Sequence, residues 1–288
     1  MTSIAVLRAG PLTTVQDHGR PGLAHLGVPP SGALDLPALD LGNLAVGNPR
    51  GTAALEATLH GPALRFEGNA LVAVTGAECG AVLAGRPLPR GRARAAAAGD
   101  VLELGRCTAG VRAYVCVRGG IDVEPTLGSR ATDLLTGLGP PPLRDGDELR
   151  VGPEPPAPPR AVGVPPPPPR TPVLRVLVGP RDDWLAPGAV DALLAERWRV
   201  TPASNRVGIR LDGAPLARAR PGELLSEGMV SGAVQVPPSG RPILLLADHP
   251  TTGGYPVVAV VVTRDLPLAG QLAPGDEVRF ALDPETVP

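Results

Sequence analysis

At 288 residues with 43% hydrophobic side chains, the chain can bury substantial cores and is sized for one large domain or two ordinary ones, two being the expectation. A formal charge of −1 and only six aromatic residues (Phe66, Tyr114, Trp184, Trp198, Tyr255, Phe280) argue against a general field for nucleic acid or an anionic membrane, and against a stacking platform for bases. All 27 basic residues are arginine, which excludes Schiff-base lysine chemistry, a lysine phosphate loop and a lysine that carries biotin or lipoate.

From the N-terminus, residues 12–22 read Leu-Thr-Thr-Val-Gln-Asp-His-Gly-Arg-Pro-Gly, and the chain continues through Gly27-Val28-Pro29-Pro30-Ser31-Gly32-Ala33-Leu34-Asp35. Gln16, Asp17, His18 and Arg20 place an amide, a carboxylate, an imidazole and a guanidinium within five residues, beside glycines that let backbone approach a ligand. The same residues also suit an exposed loop in which Asp17 caps a turn and pairs with Arg20. A helix is predicted over residues 36–46 with Asp35 as N-cap. Strands are predicted at 71–75, 101–104 and 111–117, each bounded by turn residues. A Gly-Asp pair opens an alternating run at 99–104, 146–151 and 275–280, so a turn feeding a strand is expected three times. Arg86, Arg90, Arg92 and Arg94 lack aromatic neighbours and read as a loop or edge strand rather than a nucleic-acid patch.

Residues 153–172 hold Pro155, Pro156, Pro158, Pro159 and five prolines at 165–169, a composition that favours extended polyproline and forbids helix. This segment reads as a linker between an N-terminal β domain (1–152) and a C-terminal β domain (173–288). Beyond it, strands are predicted at 173–178, 207–211, 230–236, 243–246 and 257–262, with a helix at 189–197. Arg206 and Arg210 would share one face of an extended strand and could grip a carboxylate or phosphate together, or form a solvated face. Asp248-His249-Pro250-Thr251-Thr252-Gly253-Gly254-Tyr255 sits between two apolar runs. It suits either a rigid mount for an acid-base pair with exposed amides, or a hairpin turn whose threonines satisfy its own backbone. Cys79, Cys107 and Cys116 have no metal-ligand spacing and read as buried small hydrophobes. With no basic, apolar leader and no apolar run long enough to span a bilayer, no metal, no membrane and a cytoplasmic setting are expected.

Many short strands with few helices argue for barrels or sandwiches. The ordered blocks T-T-V-Q-D-x-G-R-x-G, G-V-P-x-S-G-A-x-D, V-G-N, L-E-x-T-L-x-G-P, V-x-G-G-I-D, L-G-S-R-x-T, S-x-R-x-G-x-R-L and T-T-G-G-Y-P span nearly the whole chain. They closely resemble the KipA family, also called allophanate hydrolase subunit 2, biotin-dependent carboxyltransferase, or the C subunit of the bacterial 5-oxoprolinase. Residues 136–147 depart from the family pattern, which has a Gly-rich stretch with an arginine there.

The resemblance implies a mainly β fold of two barrel domains similar to cyclophilin. It also implies a KipI-like B component and a LamB/YcsF-like A component as partners, and ATP used by the complex to activate the amide oxygen of 5-oxoproline. Such a reaction needs amide recognition, a base for water and donors for an oxyanion. Gln16, Asp17 and His249 are the catalytic candidates. Candidate substrate contacts are Arg20, Ser31, Asp35, Arg206, Arg210, Gln235, Asp248, Thr251, Thr252, Gly253, Gly254 and Tyr255. The alternatives are carboxyl transfer from biotin, carried by a partner protein, to urea or a related amide, and a regulatory role antagonising a KipI-type inhibitor of a histidine kinase.

Overall fold

The computed structural model describes residues 2–167, 169, 171–222 and 224–286. Its secondary structure is mainly β, with helices at Leu36–Val46, Ala189–Ala195 and Leu266–Gly270. The chain forms two compact units. The first comprises Met1–Arg20, Ser31–Asp133 and Gly137–Pro168; the second comprises Pro21–Pro30, Leu134–Thr136 and Pro169–Pro288.

In the first unit, a six-stranded sheet runs in the order Glu148–Arg150, Ser3–Arg8, Ala63–Phe66, Val101–Glu103, Val82–Leu83, Arg86–Pro87. A five-stranded sheet runs Thr13–Gln16, Ala54–Thr58, Ala109–Val117, Ala70–Glu78, Arg94–Ala96. Alternation sends Ile4, Leu64, Phe66 and Leu102 from the first sheet, and Val15, Leu55, Val74 and Val115 from the second, into one shared core. The other face of the five-stranded sheet carries Ala54, Ala73, Tyr114 and Cys116, and the helix Leu36–Val46 covers it with Leu39, Ala45 and Val46. That helix begins where expected, because Asp35 accepts a hydrogen bond from Ala38 N at 3.0 Å and Pro37 lies in the first turn. Arg86 and Arg94 do lie on short strands.

In the second unit, seven strands close into a barrel in the order Val173–Val178, Val257–Val261, Ala233–Gln235, Ile243–Leu245, Gly208–Asp212, Trp198–Val200, Glu277–Leu282. Parallel pairing of Val173 with Arg279 and Val176 with Leu282 makes the closure. Trp198, Leu174, Val234, Leu244, Val258, Val278 and Phe280 are buried, none more than 2% exposed. Closed hydrogen bonding is thus a property of this second unit, while the first packs two sheets about a common core. A separate two-stranded antiparallel sheet pairs Glu227–Gly228 with Thr252–Gly253.

The three Gly-Asp units form one turn three times. Ala97 N, Arg144 N and Ala273 N donate to the carboxylates of Asp100, Asp147 and Asp276, while the three Asp amides return hydrogen bonds to Ala97 O, Arg144 O and Ala273 O. Each preceding glycine has φ between 89° and 92°.

The proline-rich segment is docked along the first unit rather than bare. Arg118 donates to Ala157 O at 3.0 Å and to Pro155 O at 2.6 Å, Arg90 donates to Pro165 O at 3.1 Å, and Arg160 N reaches Leu44 O at 3.2 Å. Pro168 and Arg170 of this segment lie outside the described residues. Among the described residues, no helix is long and apolar enough to cross a membrane.

Candidate functional site

In the first unit, the strand Thr13–Gln16 is buried at all four positions and pairs with Ala54–Thr58. Gln16 Nε2 donates to Thr14 Oγ1 and to Thr132 O, both at 3.0 Å, while its Oε1 is buried without a hydrogen-bond partner among the described residues. Asp17 follows, and its Oδ1 accepts Gly19 N at 2.7 Å and Ser129 Oγ at 2.6 Å while Oδ2 accepts Arg130 N at 2.6 Å. Three of roughly four acceptor positions are therefore occupied, which makes this carboxylate a clamp between residues 17–19 and 129–130. It also lines a cavity of about 190 Å³ with Gly51, Thr52, Asp122 and Arg130.

Asp17 caps a turn, but it does not pair with Arg20. Arg20 is 2% exposed and donates through Nε to Thr126 O at 3.2 Å and through Nη2 to Ala131 O at 2.5 Å, so carbonyls of the 126–131 segment take its donors instead. Its Nη1 is buried without a partner among the described residues. Ser31 sits at φ +50 with its Oγ likewise buried and without a partner among the described residues, as is Thr132 Oγ1. Gln16 and Arg20 thus hang on the consecutive carbonyls of Thr132 and Ala131. Asp35 caps the helix. His18, partly exposed, contacts Asp40 Oδ1 through Nε2 at 2.7 Å.

In the second unit, Arg206 and Asp248 form a buried ion pair, 1% and 0% exposed, with Nε to Oδ2 and Nη2 to Oδ1 both at 3.0 Å. Leu134 N adds a donor to Asp248 Oδ2 at 3.1 Å. Arg206 and Arg210 do not share a face. Asn205 Oδ1 accepts Val207 N and Gly208 N in a side-chain turn, so regular strand begins only at Gly208, leaving Arg210 outward while Arg206 points inward. His249 is 4% exposed and its Nδ1 lies 2.8 Å from Pro250 O; since a carbonyl only accepts, Nδ1 carries a proton in this contact. Residues 251–254 pair with residues 224–229, a segment distant in sequence, rather than closing a local hairpin turn: Met229 N donates to Thr251 O and Leu224 N to Gly254 O. Gln235 is buried in the barrel wall, and Tyr255 is 36% exposed.

Residue reasoning passed over Thr132, Ser129 and Arg130, although L-G-S-R-x-T contained all three. It also passed over Glu56, a carboxylate inside the apolar strand Ala54–Thr58. A charged residue amid buried alternation was the signal available.

The family model of the carboxyltransferase domain, subdomains A and B, matches residues 26–282. The C subunit of the 5-oxoprolinase of Escherichia coli (strain K12) is 40% identical over 285 residues, covering 96% of this chain and 90% of that protein. The protein of the same name from Haemophilus influenzae is 34% identical over 286 residues, again covering 96% and 90%. Among solved structures, the K. lactis urea amidolyase superposes with a TM-score of 0.91 at 32% identity, covering 97% of this chain and 18% of that one.

Proposed function

Because the chain belongs to the carboxyltransferase-domain family of subdomains A and B, we propose that it serves as the C subunit of an ATP-dependent 5-oxoprolinase, a hydrolase complex that opens 5-oxo-L-proline to L-glutamate. Its partners in this reading are a KipI-like B component and a LamB/YcsF-like A component. The observation that carries the reading is four buried polar atoms without hydrogen-bond partners among the described residues: Gln16 Oε1, Arg20 Nη1, Ser31 Oγ and Thr132 Oγ1. Such atoms are costly to bury unless something completes them. The substrate offers a lactam N–H, a carbonyl oxygen and a carboxylate. Gln16 Oε1 accepts the N–H, Arg20 Nη1 donates to the carboxylate, and the hydroxyls of Ser31 and Thr132 donate to the carbonyl oxygen as charge develops on it.

His249 is the imidazole of the second unit to which this reading gives the proton from water. Asp17 acts by holding the loop rather than as a base. ATP enters as the second substrate of the complex and supplies activation of the amide oxygen; no residue of this chain is assigned to it. A second reading, which the likeness to urea amidolyase supports more distantly, is carboxyl transfer to urea. There biotin has to come on a partner, since this chain has no lysine.

The test is to purify the chain with its two partner proteins and measure ADP release and glutamate formation dependent on 5-oxoproline. Gln16→Leu is expected to lower turnover about tenfold or more, the worth of one hydrogen bond near 1.4 kcal/mol, with thermal unfolding still cooperative. Unchanged turnover overturns the role of Gln16. A biotinylated partner together with urea-dependent carboxylation would replace the proposed activity by the second reading.

A further inference from the structure

The loop that carries Ser31 is held by two buried side chains that the proposed chemistry leaves unused. Glu56 is 1% exposed, and its Oε2 accepts Leu34 N at 3.0 Å and the Tyr114 hydroxyl at 2.8 Å. Tyr114, fully buried on the strand Ala109–Val117, in turn accepts Asp35 N at 2.8 Å. Two successive amides of the loop are thereby pinned to one carboxylate–phenol pair. Arg112 Nε lies 3.6 Å from Glu56 Oε1 and balances the buried charge. Burial, reinforced by the neighbouring Glu56 and Asp35, pushes the phenol well above its ordinary range, so it stays a hydrogen-bond donor throughout neutral pH.

The loop is fixed from another side as well. Ala33 N donates to Asp17 O at 2.9 Å, and Gly32, at φ +87, lies so near Gly19 that a Cβ would come within 2.7 Å of its nitrogen. Between these anchors Ser31 keeps φ +50, a left-handed conformation that serine adopts only where the surroundings over-determine it. Its hydroxyl is one of the buried atoms without a partner.

We infer that Glu56 and Tyr114 are positioning residues of the reaction: by fixing Leu34 N and Asp35 N they hold the strained Ser31 backbone and so present its hydroxyl to the substrate oxygen on which charge develops. This rests on the assignment of Ser31 as a substrate donor made above. A donor displaced by a fraction of an ångström loses transition-state stabilisation more than ground-state binding, so the loss belongs in kcat.

In the reconstituted complex, Tyr114→Phe and Glu56→Gln are expected to lower kcat for glutamate formation about 10- to 100-fold, with KM changed by less than about threefold. Since both act through Ser31, the double variant Ser31→Ala/Tyr114→Phe is expected to be no slower than Ser31→Ala alone. Multiplying losses in the double variant, or full kcat in both single variants, overturns the proposal. Amide hydrogen exchange on the full chain gives a readout independent of turnover: Leu34 and Asp35 are expected to exchange at least about tenfold faster in both single variants, with the strand Ala109–Val117 unaltered. A wild-type complex inert toward 5-oxoproline sinks the proposed function, whereas unchanged protection of Leu34 and Asp35 overturns the positioning role whatever the substrate.

Discussion

Arg206 and Asp248 set the terms for the second polar segment. Both are nearly inaccessible, and two parallel hydrogen bonds join the guanidinium to the carboxylate. Taking one partner away strands a charge in a low-dielectric interior, which costs about 3–5 kcal/mol. Arg206→Met is therefore expected to lower the unfolding free energy by that amount in denaturant titrations. An unchanged midpoint accompanied by a raised KM would instead make Arg206 a substrate grip. Asp17 shows the same division of labour in the first unit, since its contacts to Ser129 and Arg130 bridge 112 and 113 residues of sequence. The presence of chemistry-bearing side chains at 13–20 and 248–255 was legible from residue types alone. Which of them are consumed by structure was not, because the partners lie far away along the chain.

At the level of elements, the repeated Gly-Asp turn is the feature most fully written in local sequence. Its glycine supplies a positive φ and its aspartate closes the turn on an amide three residues back, so no distant contact is needed. Nothing lies within 4 Å of the place a Cβ would take on Gly275, so Gly275→Ala isolates the backbone term, about 1–2 kcal/mol by thermal or chemical unfolding. Gly32→Ala is expected to cost more than that, because it adds a collision with Gly19 to the same strain. Equal losses in the two variants would show that the 31–35 loop yields, contrary to the fixed loop described above. The helix Leu36–Val46 was equally legible from its cap, whereas the strand Thr13–Gln16 was not. Three of its four residues are polar and all are buried, so no apolar alternation marks it.

For the molecule as a whole, the scarcity of aromatics places the cores on Val, Leu, Ile and Ala, with cysteine used as one more small hydrophobe. Burial pushes the Cys79 thiol from an ordinary 9.0 up to about 12 and Cys107 up to about 11, and raises Cys116 as well. Well below pH 9 these thiols are protonated in both folded and unfolded chains, and their contribution is constant. Between pH 9 and about 12 the unfolded chain releases protons that the folded chain retains, so stability falls as pH rises through that window. The denaturation midpoint is expected to decline over it, and Cys79→Ala to decline less steeply; identical slopes would discount the buried thiol. By itself the sequence determined the mainly β class, the turns, the long helix and the family blocks, all of which depend on residue type and near-neighbour spacing. The tertiary structure alone decided that Gln16 meets Thr132 across 116 residues, that Asp248 is closed upon Arg206, and that Glu56 and Tyr114 hold the Ser31 loop. Periodicity reports only the few residues on either side, whereas pairing and burial are fixed by the way distant strands come together.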